Sequence, residues 1–474
     1  MHSRSNSISL DPSHRYYFIG IGGIGMSAIA QILLARGFRV GGSDMRHSAL
    51  LEQLMAHGAE IAVGHQADHL RRDDVVVLSD AIKAENPEWR QAVEWGSTIV
   101  KRADILGTLT NSARGVAVSG THGKTTTSGM LATIFLAAGF DPTCVLGGEL
   151  SVLDGNARPG GTLTLVEACE AYNSFLELHP EAAIITNIEI DHLDFHGTPE
   201  HLFASFRTFL GQVREVAVLN GDDARLRAMR GIPPRAVLYG AGTDNDYRYT
   251  EVRLGAESVF TLVHGETPLG EVTLRVPGAH NVSNAAGAAA LALELGAAFA
   301  DVQRGLAEFP GMHRRFERMG CCGDAAVIDD YAHHPTEIRA TLQAARASFS
   351  GTLVALFQPH LFSRTRDLLA EFADALALAD AVLIAPIYAA REAPIAGVDA
   401  GLLVERLQAI PGHPPVQAVS GLSEAVQVLA HAAGCGIAAA QPAVIPSLRN
   451  GDLIITMGAG DVDTVAHQLI AIAR

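Results

Sequence analysis

Apolar positions along this chain gather into short β-branched runs, each followed by a glycine-containing turn and then by an Ala/Leu-rich stretch at helical spacing. That alternation predicts βαβ units and parallel sheets, an α/β fold class. A first series of runs, Tyr16 to Ile21, Val75 to Ser79 and Thr98 to Val100, ends near residue 106. A second starts at Gly115 to Ser119, passes through Thr162 to Val166 and Ala183 to Asn187, and closes with hairpin-like strand material over Tyr247 to Val276. A third follows Phe309-Pro310-Gly311, with Val327 to Asp330, Thr352 to Phe357, Ala381 to Ile384 and Leu453 to Met457 as its strands. The expectation is three domains, 1–106, 107–312 and 313–474: a Rossmann-like unit, a central parallel or mixed sheet carrying a phosphate loop, and a second Rossmann-like unit.

Bulk properties narrow the choice of partners. A chain of 474 residues exceeds what one ordinary core can organise. Its 48% hydrophobic content never gathers into a membrane-length span, so no membrane helix is expected. The first residues, Met1 to His14, are polar and offer no apolar core for a secretory signal, which makes the cytoplasm the expected location. With 35 basic against 51 acidic residues, a net charge of −16 disfavours a nucleic-acid partner and obliges anionic ligands to find local pockets. The five cysteines show no CxxC spacing, so neither a disulfide framework nor a zinc site is expected.

The strongest local signal is Ala117-Val118-Ser119-Gly120-Thr121-His122-Gly123-Lys124-Thr125-Thr126, which follows an apolar strand and precedes a helix expected over Ser128 to Ala138. Strand, glycine loop, Lys-Thr and helix stand in the order a nucleoside-triphosphate site requires. Glycines let backbone N–H groups close on phosphate oxygens, Lys124 brings charge toward the β- and γ-phosphates, and Thr125 offers a hydroxyl to Mg²⁺. The loop departs from the full GxxxxGK[ST] pattern, because position 118 is Val. ATP or GTP fits equally at this point.

Downstream, Glu167 ends one strand and Asp191-His192 lies just beyond another. In a doubly wound sheet both fall at the C-terminal edge beside the phosphate loop. Mg²⁺ is a hard ion that takes oxygen ligands, so Glu167 suits it directly, while His192 suits a place beside the metal. Near the N-terminus, Gly20, Gly22 and Gly25 fit GxGxxG after a strand, and Asp44 ends the next one; on spacing alone this is a dinucleotide fingerprint.

Several separated motifs occur in order: Gly20-Ile21-Gly22-Gly23-Ile24-Gly25-Met26-Ser27, Gly120 to Thr126, Thr186-Asn187 to Asp191-His192-Leu193-Asp194, Gly278-Ala279-His280-Asn281-Val282-Ser283-Asn284-Ala285, His313-Arg314-Arg315-Phe316, and Asp329-Asp330-Tyr331-Ala332-His333-His334-Pro335-Thr336-Glu337. With them the chain resembles the Mur ligase family over nearly its full length. The resemblance implies a Mg²⁺-requiring enzyme of peptidoglycan synthesis with ATP, UDP-N-acetylmuramate and L-alanine as substrates, acting as a monomer or homodimer without nucleic acid or membrane. It implies Gly120, Thr121, His122, Gly123, Lys124, Thr125, Thr126, Asn281 and Asn284 around ATP, with Thr125, Glu167 and His192 around the metal. It further implies Arg315 on the γ-phosphate and Asp330 on the ribose, so that Lys124, Glu167, His192 and Arg315 form the catalytic set.

By the same resemblance the N-terminal glycines, Gly23 among them, hold the diphosphate of a UDP-sugar, with Asp44, His65 and Ser79 lining it. In the last domain His360 and Arg364 follow a strand, and an Arg fork suits an amino-acid carboxylate. The resemblance puts the incoming amino acid there, with His333 or His334 nearby. Where relatives often carry a more acidic segment after Glu167, this chain has Ala168-Cys169-Glu170-Ala171-Tyr172-Asn173. Two other readings compete: an NAD-dependent dehydrogenase, which leaves the Lys124 loop unemployed, and a nucleotide-switch protein, which leaves His360 and Arg364 unexplained.

Overall fold

Three sheets carry the fold in the computed structural model, which describes residues 9–79, 81–191, 193–390, 392–435 and 444–473. The first contains β1 (Arg15–Ile19), β2 (Arg39–Asp44), β3 (Glu60–Val63), β4 (Val75–Leu78) and β5 (Thr98–Lys101), all parallel, in the order β3-β2-β1-β4-β5. That is the doubly wound order, in which β1 has a neighbour on each side and opens a crevice at its C-terminal end. Successive side chains face opposite ways: Tyr16 and Phe18 enter one apolar cluster, Tyr17 and Ile19 the other. Burial on both faces explains why these strands read as continuous apolar runs rather than as an alternation.

The second sheet comprises β6 (Arg114–Ser119), β7 (Pro142–Leu150), β8 (Gly155–Arg158), β9 (Leu163–Glu167), β10 (Ala182–Ile185), β11 (Val216–Asn220), β12 (Ala236–Gly240), β13 (Tyr247–Arg253), β14 (Ser258–His264) and β15 (Thr267–Leu274). Their order is β15-β14-β13-β12-β11-β10-β6-β9-β7-β8, mixed because β8 runs antiparallel to β7. Val116, Ala117 and Val118 of β6 are completely buried, and each valine contributes about 1.5–3 kcal/mol from that burial. The strand material of Tyr247 to Val276 resolves into three neighbouring strands, the first of which pairs parallel to β12.

The third sheet contains β16 (Glu317–Cys322), β17 (Ala325–Asp330), β18 (Leu353–Phe357), β19 (Ala381–Ile384), β20 (Val416–Ala418) and β21 (Leu453–Met457), ordered β16-β17-β21-β18-β19-β20. Only the edge strand β16 is antiparallel to its neighbour. Its two faces alternate as the pleat demands, Val327, Leu356 and Ile454 toward one cluster and Ile328, Phe357 and Ile455 toward the other.

The chain divides into two compact units, one built from the residues up to Thr250 with Thr261–Val272 and Ser283–Pro310, the other from Glu251–Phe260, Thr273–Val282 and the residues from Gly311 on. Among the described residues no helix is long and apolar enough to cross a membrane, and the cysteines are free thiols.

Candidate functional site

Strand β6 lies between β10 and β9, with Ser119 in register with Ile185 and Val118 with Glu167. Whatever follows β6 is therefore flanked by the residues that follow its two neighbours. The loop Gly120 to Gly123 turns back through left-handed conformations at both glycines, φ +126° and +82°. A Cβ at Gly120 would collide with Thr186 Oγ1, and one at Gly123 would lie 2.6 Å from Asn284 Oδ1, so only glycine serves at either place. The segment after β10 locks the loop: Thr121 N donates to Asn187 O at 3.0 Å, and His122 N donates to Asn187 Oδ1 at 2.9 Å. His122 O accepts from Thr186 Oγ1 at 2.5 Å and from Asn187 Nδ2 at 3.0 Å.

The helix starts at once, spanning Lys124–Ala137, four residues before the expected Ser128. Its first turn is Lys-Thr-Thr-Thr, whose β-branched residues argue against helix locally. Left-handed Gly123 as N-cap and burial of the helix override that preference. The N-terminus therefore opens beside the glycine loop, the geometry that favours an anion.

Lys124 Nζ lies 2.9 Å from Glu170 Oε2 and also donates to Gly120 O at 2.6 Å and Thr121 O at 3.0 Å. Burial alone would lower the pKa of this ammonium; the Glu170 carboxylate, with smaller help from Cys169 and Glu167, outweighs it and holds the pKa above its ordinary value. Beside it, Thr125 Oγ1 donates to Glu167 Oε2 at 2.8 Å, and Gly147 N donates to the same oxygen at 3.2 Å. A hydroxyl and a carboxylate at the mouth of a phosphate loop are the hard oxygen donors that suit Mg²⁺. Half-buried Thr126 follows on the same helix. Asn284 meets the loop at Gly123, while Asn281, one turn earlier on the helix Ala279–Glu294, donates from Nδ2 to Pro277 O at 2.8 Å. His192 lies outside the described residues.

The first sheet repeats the crevice logic at β1. Gly20 is left-handed at φ +78°, Gly22 N donates to Asp44 Oδ2 at 2.9 Å, and Gly23 caps the helix Ile24–Ala35, whose first turn carries Gly25. Asp44 therefore meets the loop through its carboxylate. Ser79 follows β4, where its Oγ accepts from Ala81 N at 3.3 Å and its carbonyl from Ile82 N at 3.1 Å. His65 is drawn into a buried polar group: its Nδ1 lies 2.8 Å from Ser43 Oγ and 2.9 Å from Glu88 Oε2.

In the second unit, two adjacent arginines are separated by environment. Arg314 is tied to Asp329 Oδ2 at 2.9 Å, Gly460 O at 3.1 Å and Gly458 O at 2.8 Å. Arg315 has a looser setting, 3.9 Å from Glu337 Oε1 and over the Tyr331 ring at 5.1 Å. Left-handed Arg314 and Phe316 on either side, φ +57° and +50°, set the direction of Arg315, a conformation that costs non-glycine residues free energy. Asp330, at the end of β17, accepts from Phe316 N at 2.8 Å and Ala332 N at 2.7 Å. Burial pushes its carboxyl up to about 6, against the pull of Arg315 and those two amides.

His333 Nδ1 sits 3.2 Å from Glu337 Oε2, and His334 caps the helix Pro335–Ser348. The His333 and His360 rings meet edge to face with centroids 5.9 Å apart, and His360 stacks on Tyr388 at 5.8 Å. Arg364 lies one turn beyond His360 in the helix Phe362–Asp367. His333 and His360 are thus neighbours within the unit.

Family profiles cover the chain in three consecutive pieces. The Mur ligase family catalytic domain matches residues 15–114, the Mur ligase middle domain 118–292, and the Mur ligase glutamate ligase domain 314–460. The UDP-N-acetylmuramate–L-alanine ligase of Thermobifida fusca is 42% identical over 483 residues, covering 98% of this chain and 97% of that protein. That of Sorangium cellulosum is 41% identical over 463 residues, covering 96% and 95%. The chain belongs to the Mur ligase family. Among solved structures, the UDP-N-acetylmuramate-alanine ligase of Thermotoga maritima superposes with a TM-score of 0.81 at 30% identity, covering 96% of this chain and 98% of that one. A murein peptide ligase of Psychrobacter arcticus shares the fold, with a TM-score of 0.70 at 23% identity.

In this Mur ligase the GxGxxG loop belongs to a ligase, not a dehydrogenase. Sequence reasoning named no partners for the groups that hold the site residues. Glu170 pairs with Lys124, Asn187 clamps the loop, and Glu88 gathers His65. Glu170 had a signal, a second carboxylate three residues past Glu167; Glu88, just inside a helix start after Asn86-Pro87, had none.

Proposed function

We propose that this chain joins L-alanine to the carboxylate of UDP-N-acetylmuramate at the expense of ATP, through an acyl phosphate, in bacterial peptidoglycan synthesis. The observation that carries this reading is the identity of about 40% along nearly the whole length to UDP-N-acetylmuramate–L-alanine ligases. The arrangement of Lys124, Thr125 and Glu167 at one loop supports it. The three sheets support domain limits at 1–106, 107–312 and 313–474, and the need for ATP supports a cytoplasmic place of work.

Lys124 holds the β- and γ-phosphates, aided by the loop Gly120, Thr121, His122, Gly123, Thr126 and by Asn281 and Asn284; Arg315 takes the γ-phosphate and Asp330 the ribose. Thr125, Glu167 and His192 would hold Mg²⁺, which supplies charge neutralisation at the phosphoryl oxygens. A carboxylate oxygen of the muramate attacks the γ-phosphorus and ADP leaves. The amine of L-alanine, its carboxylate held by Arg364 with His333 and His360, attacks the acyl carbon. Inorganic phosphate departs, an amide forms, and the amine proton passes to solvent. Gly20, Gly22, Gly23, Gly25, Asp44, His65 and Ser79 line the UDP-sugar. Fixed cations aimed at the oxygens where charge collects lower the barrier to both steps.

The test is coupled phosphate release with UDP-N-acetylmuramate, Mg²⁺ and ATP against L-alanine, glycine and L-serine. Release that needs all components, and is fastest with L-alanine, supports the reading; release indifferent to the amino acid rejects it.

A further inference from the structure

Glu88 is completely buried in the first turn of the helix Pro87–Trp95. Four donors from four separate segments converge on its carboxylate. Tyr17 Oη of β1 donates to Oε1 at 2.9 Å, and Nδ1 of His69, in the short helical turn Ala67–His69, lies 3.0 Å from the same oxygen. Ser43 Oγ of β2 donates to Oε2 at 2.6 Å, and His65 Nδ1, two residues past β3, lies 2.9 Å from it. An ionised carboxylate has room for about four such bonds and no proton to give, so each imidazole meets it through a protonated Nδ1. Burial, together with the neighbouring Glu88 charge, raises the pKa of the Tyr17 phenol and keeps it a donor.

This group is built into the mouth of the first sheet. Ser43 O accepts from Gly20 N at 2.8 Å, and Asp44 accepts from Gly22 N through Oδ2 at 2.9 Å and from Gly64 N through its carbonyl at 2.7 Å. His65 follows Gly64 directly. The ring is thus bonded on one side to Glu88 and joined through the backbone to the glycine loop. We infer that Glu88 is a positioning residue for the UDP-sugar: by taking Nδ1–H of His65 it fixes the ring and leaves Nε2 as the atom presented to the ligand. The inference rests on the reading of His65 as part of the UDP-sugar site. A partner that fixes the orientation and tautomer of a histidine conveys binding without touching the ligand.

The decisive experiment combines long-range proton–nitrogen NMR of the full-length wild-type protein with steady-state kinetics of Glu88→Gln. In the wild type His65 Nδ1 carries a proton, and adding UDP-N-acetylmuramate shifts the Nε2 resonance. In Glu88→Gln only one end of the amide accepts, so donors at the other lose their partner. We expect KM for UDP-N-acetylmuramate to rise about 10-fold or more, with kcat and KM for ATP within about twofold. A bare Nδ1, an unmoved Nε2 on adding the sugar nucleotide, or an unchanged KM overturns the inference, as does a parallel loss of all kinetic parameters. The NMR measurement needs no variant, so it decides the matter even where Glu88→Gln does not fold. Wild-type protein without any turnover of UDP-N-acetylmuramate would sink the ligase reading instead, while His65 Nδ1 still reports on Glu88.

Discussion

Lys124 and Glu170 form an ion pair 2.9 Å long, with side chains 11% and 1% exposed. The lysine proposed to hold phosphate is thus paired with a carboxylate just beyond the end of the neighbouring strand. Removing one partner of a buried pair strands the other charge, at about 3–5 kcal/mol. Lys124→Ala should therefore lose both turnover and stability. The double variant Lys124→Met with Glu170→Gln should recover most of the stability and none of the activity. Thermal unfolding and phosphate release separate the two effects; a stable, active Lys124→Ala protein would refute the assignment.

Thr125 and Glu167 share a hydrogen bond of 2.8 Å. Thr125→Val keeps the shape and removes the hydroxyl. The Mg²⁺ concentration for half-maximal activity should rise about 10–100-fold, whereas Thr125→Ser should stay close to wild type. A Mg²⁺ titration at saturating ATP measures this.

Arg314 and Arg315 should part company on substitution. Arg314→Ala leaves Asp329, 1% exposed, without its guanidinium, and should cost about 3–5 kcal/mol of stability. Arg315→Ala breaks a 3.9 Å contact to Glu337 and a ring contact to Tyr331 and removes its pull on Asp330, which keeps its two backbone amides, so it should lose less stability than Arg314→Ala while turnover collapses. Equal melting losses in the two variants would contradict the division of roles.

Asp330 should make stability fall as pH rises. Its carboxyl is up at about 6 in the fold against an ordinary 3.8, so between those values the folded chain holds a proton that the unfolded chain has released. Stability from this group is complete below pH 3.8 and is lost as pH climbs to about 6, by roughly 3 kcal/mol in all. Denaturant midpoints from pH 4 to 7 should show that slope in the wild type, and a shallower one in Asp330→Asn.

Local order along the chain made much of this readable. Short apolar runs separated by glycine turns and helical stretches foretell three α/β sheets, because strand and helix periods are properties of neighbouring residues. Gly120, Gly123, Lys124 and Thr125 were legible for the same reason: backbone conformation and helix polarity need only adjacent positions. The strands β13 to β15 were legible as strand material but not in their pairing, and the helix begins at Lys124 rather than at the expected Ser128 although Thr125, Thr126 and Thr127 are weak helix formers.

Spacing could name Lys124 but not Glu170, 46 residues away, since that meeting depends on β9 lying next to β6. It could mark Arg314 and Arg315 as one motif, yet which guanidinium is sunk among Asp329, Gly458 and Gly460 depends on β21 running beside β17. Glu88 shows the same limit, a carboxylate filled by donors from segments that only the packed sheet assembles. Dihedral preference and apolar period are encoded residue by residue; the partners of a buried charge are chosen by the order in which strands pack, where desolvation makes an unpaired group too costly to keep.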